Sequence, residues 1–298
     1  MLMPWRCGLA FLLGWWASVW LIGCGASLSP ESSDRLPEPR DDAGSLAGGR
    51  FELDDPGDQT SATRYYLGYD VLRVEVPRGT VSQSETLWNH VDESVVAFAV
   101  TRRLRVNGFR IGLADPEAWP AIKAALDSAG ATQTARAGLA QDDLLPFAIE
   151  VDPVSKDRTI FHYGRLGALK GSTYADSLTM LRIEHTLNPE RLVEFNVRLV
   201  PEARSAHFQT ALAATETGLR EIPIYQGKVF TELAVQMVTP KNGIIVVGPS
   251  GRAGRQSLIG TEFFCAKRNG IEFERVFFIT PRLLVRKAGT AGSLAREG

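Results

Sequence analysis

The sequence predicts an α+β protein, in which a small N-terminal α/β module precedes a mostly antiparallel β domain. Strand and helix periodicities alternate over residues 71–130. The segments beyond residue 144 instead alternate apolar and polar side chains, which is typical of half-buried strands. We therefore expect the α/β module at residues 63–135 and the β domain at residues 140–287.

The N-terminus carries a short apolar run. Arg6 is the only positive side chain ahead of it, and residues 9–23 bear no charge. A run of roughly fifteen residues suits the apolar part of a secretion signal better than a membrane span. The run ends in four residues that match a known signal, namely Leu21, Ile22, Gly23 and Cys24. They resemble the lipobox of bacterial lipoproteins, in which the chain is cut before the cysteine and the thiol carries lipid.

This resemblance implies a signal peptide over residues 1–23 and a lipid on Cys24 that attaches the mature chain to a membrane. More than one acyl chain gives stable attachment, where a single chain would be marginal. Gly25 stands where lipoproteins retained at the inner membrane have an aspartate, so the resemblance implies an outer-membrane protein that faces the periplasm. A plain signal peptide with an incidental cysteine and a retained transmembrane anchor are the alternatives.

Charge and cysteine content argue against a nucleic-acid-binding protein and against a fold that depends on disulfides. The chain has 33 Lys and Arg residues against 34 Asp and Glu, whereas a nucleic-acid-binding surface normally shows a strong basic excess. No nucleic-acid partner is therefore expected. Because Cys7 lies in the signal and Cys24 in the lipobox, Cys265 has no partner for an intramolecular disulfide. The apolar neighbours of Cys265 predict a buried, unreactive thiol.

Polar segments flank the predicted folded part. Residues 24–62 are rich in Ser, Pro, Gly and Asp and carry an excess of acidic side chains. Such a segment buries too little apolar area to offset the entropy of ordering the chain, so we predict a disordered acidic linker. A binding role for this acidic stretch is the alternative. Residues 288–298 are expected to form a disordered tail.

Two strands and two helices make up the predicted α/β module. A strand at residues 72–76 is followed by a helix that has Ser84 as its N-cap and ends near residue 105. The apolar stripe of that helix comprises Leu87, Val91, Val95 and Phe98. Asn107-Gly108 either closes the helix or turns a hairpin, and the helical periodicity favours closure. A strand at residues 109–113 and a helix that ends at Gly130 complete the module.

Strands dominate the prediction beyond residue 144. They are expected at residues 146–151, 158–163, 181–187, 193–199, 229–237, 244–247 and 273–285. The segments 181–187 and 193–199 form a predicted hairpin around Asn188-Pro189-Glu190. Residues 202–217 are compatible with a helix or with a loop. Pro281 places the last strand at, or next to, a sheet edge.

Two C-terminal segments, residues 229–251 and 273–285, resemble the C-terminal part of bacterial secretins. Those proteins are ring-forming outer-membrane channels of type II and type III secretion and of pilus export. The matching residues are Asn242, Gly243, Val247, Gly248, Ile279, Thr280, Pro281, Arg282 and Val285. The resemblance implies a structural role in protein secretion or outer-membrane assembly, through ring oligomerisation. Pro249 departs from the pattern, because the family has a second glycine there.

No catalytic residue, cofactor site or metal site is predicted. Residues 248–257 have one residue too many for a phosphate-binding loop, and Arg255 and Gln256 replace its lysine and hydroxyl residue. The four histidines lack the spacing of metal ligands. His185 alternates with the apolar residues of its strand, which predicts a hydrogen-bonded residue of the core or barrel.

Three hypotheses about function follow. The first is a non-enzymatic, lipid-anchored envelope protein that self-associates or binds other secretion proteins. The second is a monomeric periplasmic binding or scaffold lipoprotein without channel activity. The third, a hydrolase, has no supporting constellation of residues.

A membrane-spanning strand needs about nine to eleven residues with one apolar face. The segments 193–199 and 229–237 come nearest to that pattern.

Overall fold

Antiparallel strands dominate the computed structural model, which describes residues 63–140, 146–187, 193–215, 218–253 and 257–287. This confirms the mostly antiparallel β character predicted for residues 140–287, and the described residues as a whole have few helices. The signal at residues 1–23, the linker at residues 24–62 and the tail at residues 288–298 lie outside the described residues. So do Cys24 and the other three lipobox residues, Leu21, Ile22 and Gly23.

The described residues form eleven strands and three α-helices. The strands are β1 (Thr63–Pro77), β2 (Phe109–Ala114), β3 (Thr132–Ala140), β4 (Phe147–Tyr163), β5 (Leu169–Leu187), β6 (Glu194–Thr215), β7 (Gly218–Val229), β8 (Val235–Pro240), β9 (Ile244–Pro249), β10 (Cys265–Arg268) and β11 (Ile271–Lys287). The helices are α1 (Phe98–Val106), α2 (Trp119–Ser128) and α3 (Ile259–Phe264). Short 3-10 turns lie at Trp88–His90, Glu93–Val95, Pro116–Ala118 and Thr231–Leu233.

The first sheet combines strands from both predicted modules. Its order is β2-β9-β11-β1-β3, and β10 also pairs with β11. β1 and β11 pair along their whole length, from Thr63 opposite Lys287 to Pro77 opposite Phe273. The boundary predicted between residues 135 and 140 therefore does not separate two sheets. β9 is buried at every position, as its uniformly apolar sequence predicts, because it lies between β2 and β11.

The second sheet has the order β4-β5-β6-β7, and β8 pairs with β6. The predicted hairpin is confirmed, with Leu187 opposite Phe195 across β5 and β6. Residues 202–215 continue β6 as a strand, which corrects the expectation of a helix or loop over 202–217. The Ala, Thr and Ser residues there have no strong preference of their own, and the ladder with β7 decides their conformation.

The two sheets share one apolar core. Its buried residues from the first sheet include Leu67, Tyr69, Ile245, Phe277 and Ile279, and those from the second include Leu181, Ile183, Phe195, Val197 and Leu199. Each fully buried side chain of this size contributes about 1.5 to 3 kcal/mol of hydrophobic stabilisation. A second cluster, which includes Ile122 and Leu126 of α2, covers other residues of the first sheet such as Val246 and Phe278.

A buried ion network joins the sheets. Arg275 of β11 donates from Nε to Glu75 of β1 over 3.2 Å and from Nη2 to Asp152 of β4 over 3.1 Å. Asp152 also accepts a 2.8 Å hydrogen bond from Nη2 of Arg158, whose side chain has no solvent exposure. No sequence pattern predicts this network, because its four residues are separated by up to 200 positions along the chain.

The helix predicted to start at Ser84 is wrong. Two 3-10 turns occupy residues 88–95, and α1 begins only at Phe98. Burial of Trp88 explains the difference, because its indole Nε1 donates to the carbonyl of Val81 over 3.0 Å within the second cluster. Phe98 is 82% exposed, so it does not belong to an apolar stripe. The predicted helix end is correct, since Gly108 has a φ of +88°.

The strand predicted at residues 229–237 is also wrong. β7 ends at Val229, a 3-10 turn follows at Thr231–Leu233, and β8 begins at Val235. Phe230 and Leu233 are both fully buried in the shared core. Residues three apart point to opposite faces of a strand, so only a helical turn lets both side chains enter the same core.

Pro281 lies next to an edge, as predicted. β9 pairs with β11 only at residues 277–279, so Pro281 is beyond that ladder and opposes Tyr69 of β1. A proline is tolerated there because the missing N–H removes no bond to β9.

Candidate assembly surface

Two hairpins separate at one end of the second sheet. The pairing of β5 with β6 ends where Ser177 opposes Ser205. Beyond that point β5 continues beside β4, and β6 continues beside β7. We call residues 206–215 and 218–225 the arm. The arm is a two-stranded ribbon that runs from Phe208 opposite Tyr225 to Thr215 opposite Gly218.

Neither edge of the arm pairs with any other described strand. β8 pairs with β6 only at residues 194–199, outside the arm, and β7 is the last strand on its side of the sheet. Residues 207–210 and 218–221 are all exposed. An isolated two-stranded hairpin is only marginally stable in water, so the arm presents strand edges that remain available for pairing.

One face of the arm carries four exposed apolar side chains, and Glu221 lies among them. Phe208, Leu212, Leu219 and Tyr225 are 57%, 64%, 71% and 37% exposed. They share a face, because Phe208 opposes Tyr225, Leu212 lies four residues further along β6, and Leu219 opposes Ala214 on the same face. Exposed apolar side chains grouped in this way mark an interaction surface more often than ordinary solvent-facing surface.

Charged and aromatic contacts hold the base of the arm. The guanidinium of Arg204 stacks on the ring of Tyr225, with its central carbon 4.6 Å from the ring centroid. The Nε of Arg204 also donates to Oε1 of Glu202 over 2.7 Å. The stacking contact connects β6 with β7 at the point where the arm leaves the sheet, since Gly227 opposes Arg204 there.

Two histidines contact carboxylates beside the arm. His207 of β6 places Nε2 2.7 Å from Oδ2 of Asp176 on β5. His162 of β4 places Nε2 2.7 Å from Oε1 of Glu232, which lies just after β7. Burial raises the pKa of Glu232, but hydrogen bonds from a backbone amide and from His162 outweigh it, so the pKa is lowered.

His185 occupies the aromatic part of the core. Its ring centroid lies 6.0 Å from that of Tyr69 and 5.6 Å from that of Phe147. Burial lowers the pKa of His185, because the surrounding rings cannot solvate an imidazolium.

The structure brings the secretin-like residues together. Val247 of β9 opposes Phe277 of β11, and Ile279 of β11 opposes Ile245 of β9, so the two matching segments are neighbouring strands. Gly248, which also matches, opposes Arg110 of β2. These positions belong to the interior of the first sheet and are distant in sequence from the arm.

The remaining matching residues lie in the turn before β9 and in β11, beyond its ladder with β9. Asn242 and Gly243 form the turn before β9, in which the amide of Gly243 donates to the carbonyl of Pro240 over 2.9 Å. In β11, Thr280 opposes Asp70 of β1. Arg282 donates from Nε to Oδ2 of Asp70 over 2.8 Å, while Pro281 is buried. All of these roles are structural.

The glycine-rich segment after β9 packs against α1 instead of opening a phosphate site. Ser250 donates from Oγ to the carbonyl of Arg105 over 2.9 Å, and the amide of Gly260 donates to the carbonyl of Asn107 over 2.9 Å. Gly260 touches the backbone of Gly108 so closely that an added Cβ would lie 2.5 Å from its carbonyl carbon. No sequence pattern predicts this contact, because the two glycines are far apart in the chain and only the fold brings them together.

Cys265 is partly buried, with Sγ 3.5 Å from the carbonyl oxygen of Ala253. Burial, together with the carboxylate of Glu274, raises the pKa of Cys265 to about 12.

Among the described residues, no group of three or more His, Cys, Asp or Glu side chains could hold a metal ion. Within the same ranges, no helix is both long enough and apolar enough to span a membrane.

Comparison with known proteins gives little further information. No protein-family model matches the chain, and no curated protein matches it. Among solved structures, the chain is similar to the InvG secretin domain beta-barrel from the Salmonella SPI-1 injectisome NC-base, with 11% sequence identity and a TM-score of 0.19. The alignment covers 78% of this chain and 66% of that chain. A TM-score of 0.19 does not establish a common fold, so the secretin resemblance remains one of sequence motifs.

Proposed function

We propose that this chain is a non-enzymatic structural protein of the bacterial envelope, and that copies of it assemble into a ring through the arm. Its role would be in protein secretion or outer-membrane assembly. The observation that carries the proposal is the arm itself, a two-stranded ribbon whose edges pair with no other described strand and which carries four exposed apolar side chains on one face. The secretin-like motif, with Asn242-Gly243 and the run Ile279–Arg282, supports the choice of process.

Edge-to-edge pairing is the simplest way to give the backbone N–H and C=O groups of the arm's edges hydrogen-bond partners. The free edge of β6 in one copy and the free edge of β7 in the next would form an antiparallel ladder, because β6 and β7 already alternate in direction within each arm. Such head-to-tail contacts close into a ring when the rotation between copies is constant. A closed ring leaves no arm with an unpaired edge, and the paired arms would also group their exposed apolar side chains.

The lipid anchor is a second part of the proposal. The lipobox residues imply that Cys24 carries the lipid, that the mature chain begins there, and that residues 24–62 connect the anchor to β1. The proposed location is the outer membrane, with the folded part in the periplasm. Intact-mass spectrometry of the detergent-extracted protein tests this. A mature chain that starts at Cys24 with added acyl mass supports the anchor, and an unmodified Cys24 contradicts it.

A monomeric binding or scaffold lipoprotein is the second candidate. The feature that favours it is Pro223 in β7, because proline on an edge strand discourages pairing with another chain. The two sheets also share a continuous core within a single copy, so the fold does not need a partner to bury its main apolar surface.

Light scattering coupled to size exclusion tests the ring. The mature protein extracted in mild detergent is expected to elute as an assembly of many copies. A variant in which Asn-Gly replaces residues 209–224 keeps the pair of Phe208 and Tyr225 but lacks most of the arm, and we expect it to be monomeric. Leu166→Ser is the matched control, since Leu166 is a 98% exposed apolar residue outside the arm. A monomeric unaltered protein, or a shortened variant that still forms rings, would contradict the proposal.

A further inference from the structure

The β4–β5 hairpin ends in a short turn with an apolar apex. Tyr163 opposes Leu169 in the last pair of the ladder, and five residues connect them. Leu166, at the middle of these five, is 98% exposed, and Leu169 is 53% exposed. We call residues 163–170 the tip. Glycine, asparagine, aspartate and serine are the residues that such turns need, so the turn itself does not require a leucine at its apex.

More apolar surface adjoins the apex on one face of the hairpin. Phe161 is 38% exposed and shares a face with Tyr163 and Leu169, because residues two apart along a strand point to the same side and Tyr163 opposes Leu169. Gly171 opposes Phe161, and an added Cβ there would overlap the phenyl ring. The apolar side chains of the tip are therefore grouped with Phe161, which marks an interaction surface more often than scattered exposure does.

Two cations border the apolar apex. Arg165 precedes Leu166 and Lys170 follows Leu169, and both basic side chains are exposed. Neither forms an ion pair with another described residue. The chain from residue 158 to residue 175 contains no aspartate or glutamate. The tip therefore presents two positive charges beside its exposed leucines, with no carboxylate of its own hairpin end to neutralise them.

Hydrogen bonds hold the tip in a fixed shape. Asn107, which is fully buried at the end of α1, donates from Nδ2 to the carbonyl of Tyr163 over 3.0 Å, and its Oδ1 accepts from the amide of Tyr163 over 2.7 Å. Within the turn, the amide of Gly164 donates to the carbonyl of Ala168 over 2.9 Å. Gly167 has a φ of +75°, which glycine adopts without strain. Because the tip is already ordered, binding costs little further conformational entropy.

We propose that the tip docks on an anionic phospholipid surface. Leu166 and Leu169 enter the boundary between the headgroups and the acyl chains, while Arg165 and Lys170 contact the lipid phosphates. Tyr163 lies at headgroup depth, where tyrosine side chains are enriched. A bilayer fits both features of the tip, because it offers negative charge and apolar material in adjacent layers, and the long basic side chains reach the outer layer while the leucines enter the inner one.

The lipid anchor proposed above strengthens this contact. Two leucines and two cations alone give a marginal affinity for a membrane. Attachment at Cys24 keeps the tip close to the bilayer, so docking becomes intramolecular and needs far less affinity. Residues 24–62 span at most about 140 Å, which is long enough for the tip to reach the surface. The strength of binding thus rests on the proposed function, whereas the contact itself involves only described residues.

A fluorescent probe in the tip tests the contact. The full mature chain carries Ala168→Cys in a Cys265→Ala background, labelled with nitrobenzoxadiazole, and is reconstituted into phosphatidylcholine vesicles with or without phosphatidylglycerol. We expect the emission to shift to the blue in the anionic vesicles, and a smaller fraction of inserted tips in phosphatidylcholine alone. The same label on Ala124→Cys, at an exposed alanine of α2, is expected to report water in both.

Paired variants separate charge from apolar insertion. Arg165→Gln with Lys170→Gln is expected to lower the ratio of inserted to free tips about 30-fold in anionic vesicles, since each basic residue near such a surface contributes a factor of about five. Arg165→Lys with Lys170→Arg keeps both charges and is expected to keep the ratio. Leu166→Ser with Leu169→Ser is expected to lower it at least about tenfold. All four side chains are exposed, so circular dichroism should show an unchanged fold.

Unshifted emission from the tip label in anionic vesicles overturns the proposal, and so does a charge-removing variant that inserts as well as the unaltered tip. The intact mass of the same samples separates this outcome from a failure of the anchor. A chain without acyl mass whose label still shifts in excess anionic vesicles supports the tip and contradicts the anchor. An acylated chain whose label stays in water supports the anchor and contradicts the tip. Leu166→Ser remains a control for the ring, because that mass is measured in detergent without a bilayer.

Discussion

Arg275 and Asp152 form a buried ion pair between the two sheets, with Nη2 of Arg275 3.1 Å from Oδ1 of Asp152. The side chains are 3% and 7% exposed. Removing two charges from water costs free energy, and the pair offsets that cost only because further hydrogen bonds satisfy it. Glu75 supplies one such bond to Arg275, and Arg158 supplies another to Asp152. The position of the second sheet on the first therefore depends on this pair as well as on the apolar core.

We expect Asp152→Asn to destabilise the protein by about 3 to 5 kcal/mol, because it leaves Arg158 and Arg275 buried without their common counter-charge. Urea unfolding followed by circular dichroism measures the change. Asp127→Asn is the control, since Asp127 is 61% exposed and its pair with Lys123 is expected to contribute less than about 1 kcal/mol. Equal stabilities of the two variants would show that the inter-sheet pair does not stabilise the fold.

The same pair predicts how stability depends on pH. Burial raises the pKa of Asp152, but the charge of Arg275 and the hydrogen bond from Arg158 outweigh burial and lower it below the ordinary value of 3.8. The stabilisation is therefore fully present above the unfolded pKa and is lost as the pH falls through the lower folded pKa. We expect the difference in melting temperature between the unaltered protein and Asp152→Asn to shrink below about pH 4. A constant difference down to pH 2 would contradict this assignment.

Gly260→Ala is expected to destabilise the protein by about 1 to 3 kcal/mol, since the new Cβ overlaps the backbone of Gly108 and must push α3 away from α1. The change also strains the hydrogen bond from Gly260 to Asn107. Thermal unfolding measures the effect. Gly138→Ala should change stability by less than about 0.5 kcal/mol, because its Cβ would only approach Asp70 at 3.9 Å. A Gly260→Ala protein as stable as the control would refute the close contact.

Phe230→Ala is expected to cost about 3 to 5 kcal/mol, because it empties a fully buried site in the shared core. Phe98→Ala is the matched control and should change stability by less than about 0.5 kcal/mol, since Phe98 is 82% exposed. Chemical denaturation of both variants checks the pair. Similar losses for the two variants would mean that Phe98 is buried, as expected if it belonged to the apolar stripe of the predicted helix.

Shortening the arm should affect assembly far more than folding. Replacing residues 209–224 with Asn-Gly removes mainly exposed side chains, so we expect the free energy of unfolding to change by about 1 kcal/mol or less. Urea unfolding of the shortened chain, compared at matched oligomeric state, provides the measurement. A loss of several kcal/mol would mean that the arm belongs to the folding unit, and its proposed role as an assembly surface would lose its basis.

The sequence by itself determined the class of local structure wherever one signal dominated. The apolar run at residues 244–247 predicted a strand, the alternation on both sides of Asn188-Pro189-Glu190 predicted a hairpin, and Asn107-Gly108 predicted a helix end. In each case the decisive physical cause acts over a few residues: side-chain period, turn chemistry, or a conformation that glycine adopts without strain.

Only the tertiary structure decided the features that depend on distant partners. Trp88 replaced the first predicted helix with 3-10 turns by entering a core that α2 and the first sheet complete. Phe230 and Leu233 broke a predicted strand because both needed the same core. The arm exists because the pairing of β5 with β6 ends at Ser177. The sequence of residues 206–225 has no pattern that distinguishes a free strand edge from a paired one. The 3-10 turns, the interrupted strand and the arm all depend on pairing, burial and charge between residues far apart in the chain, which no local sequence pattern indicates.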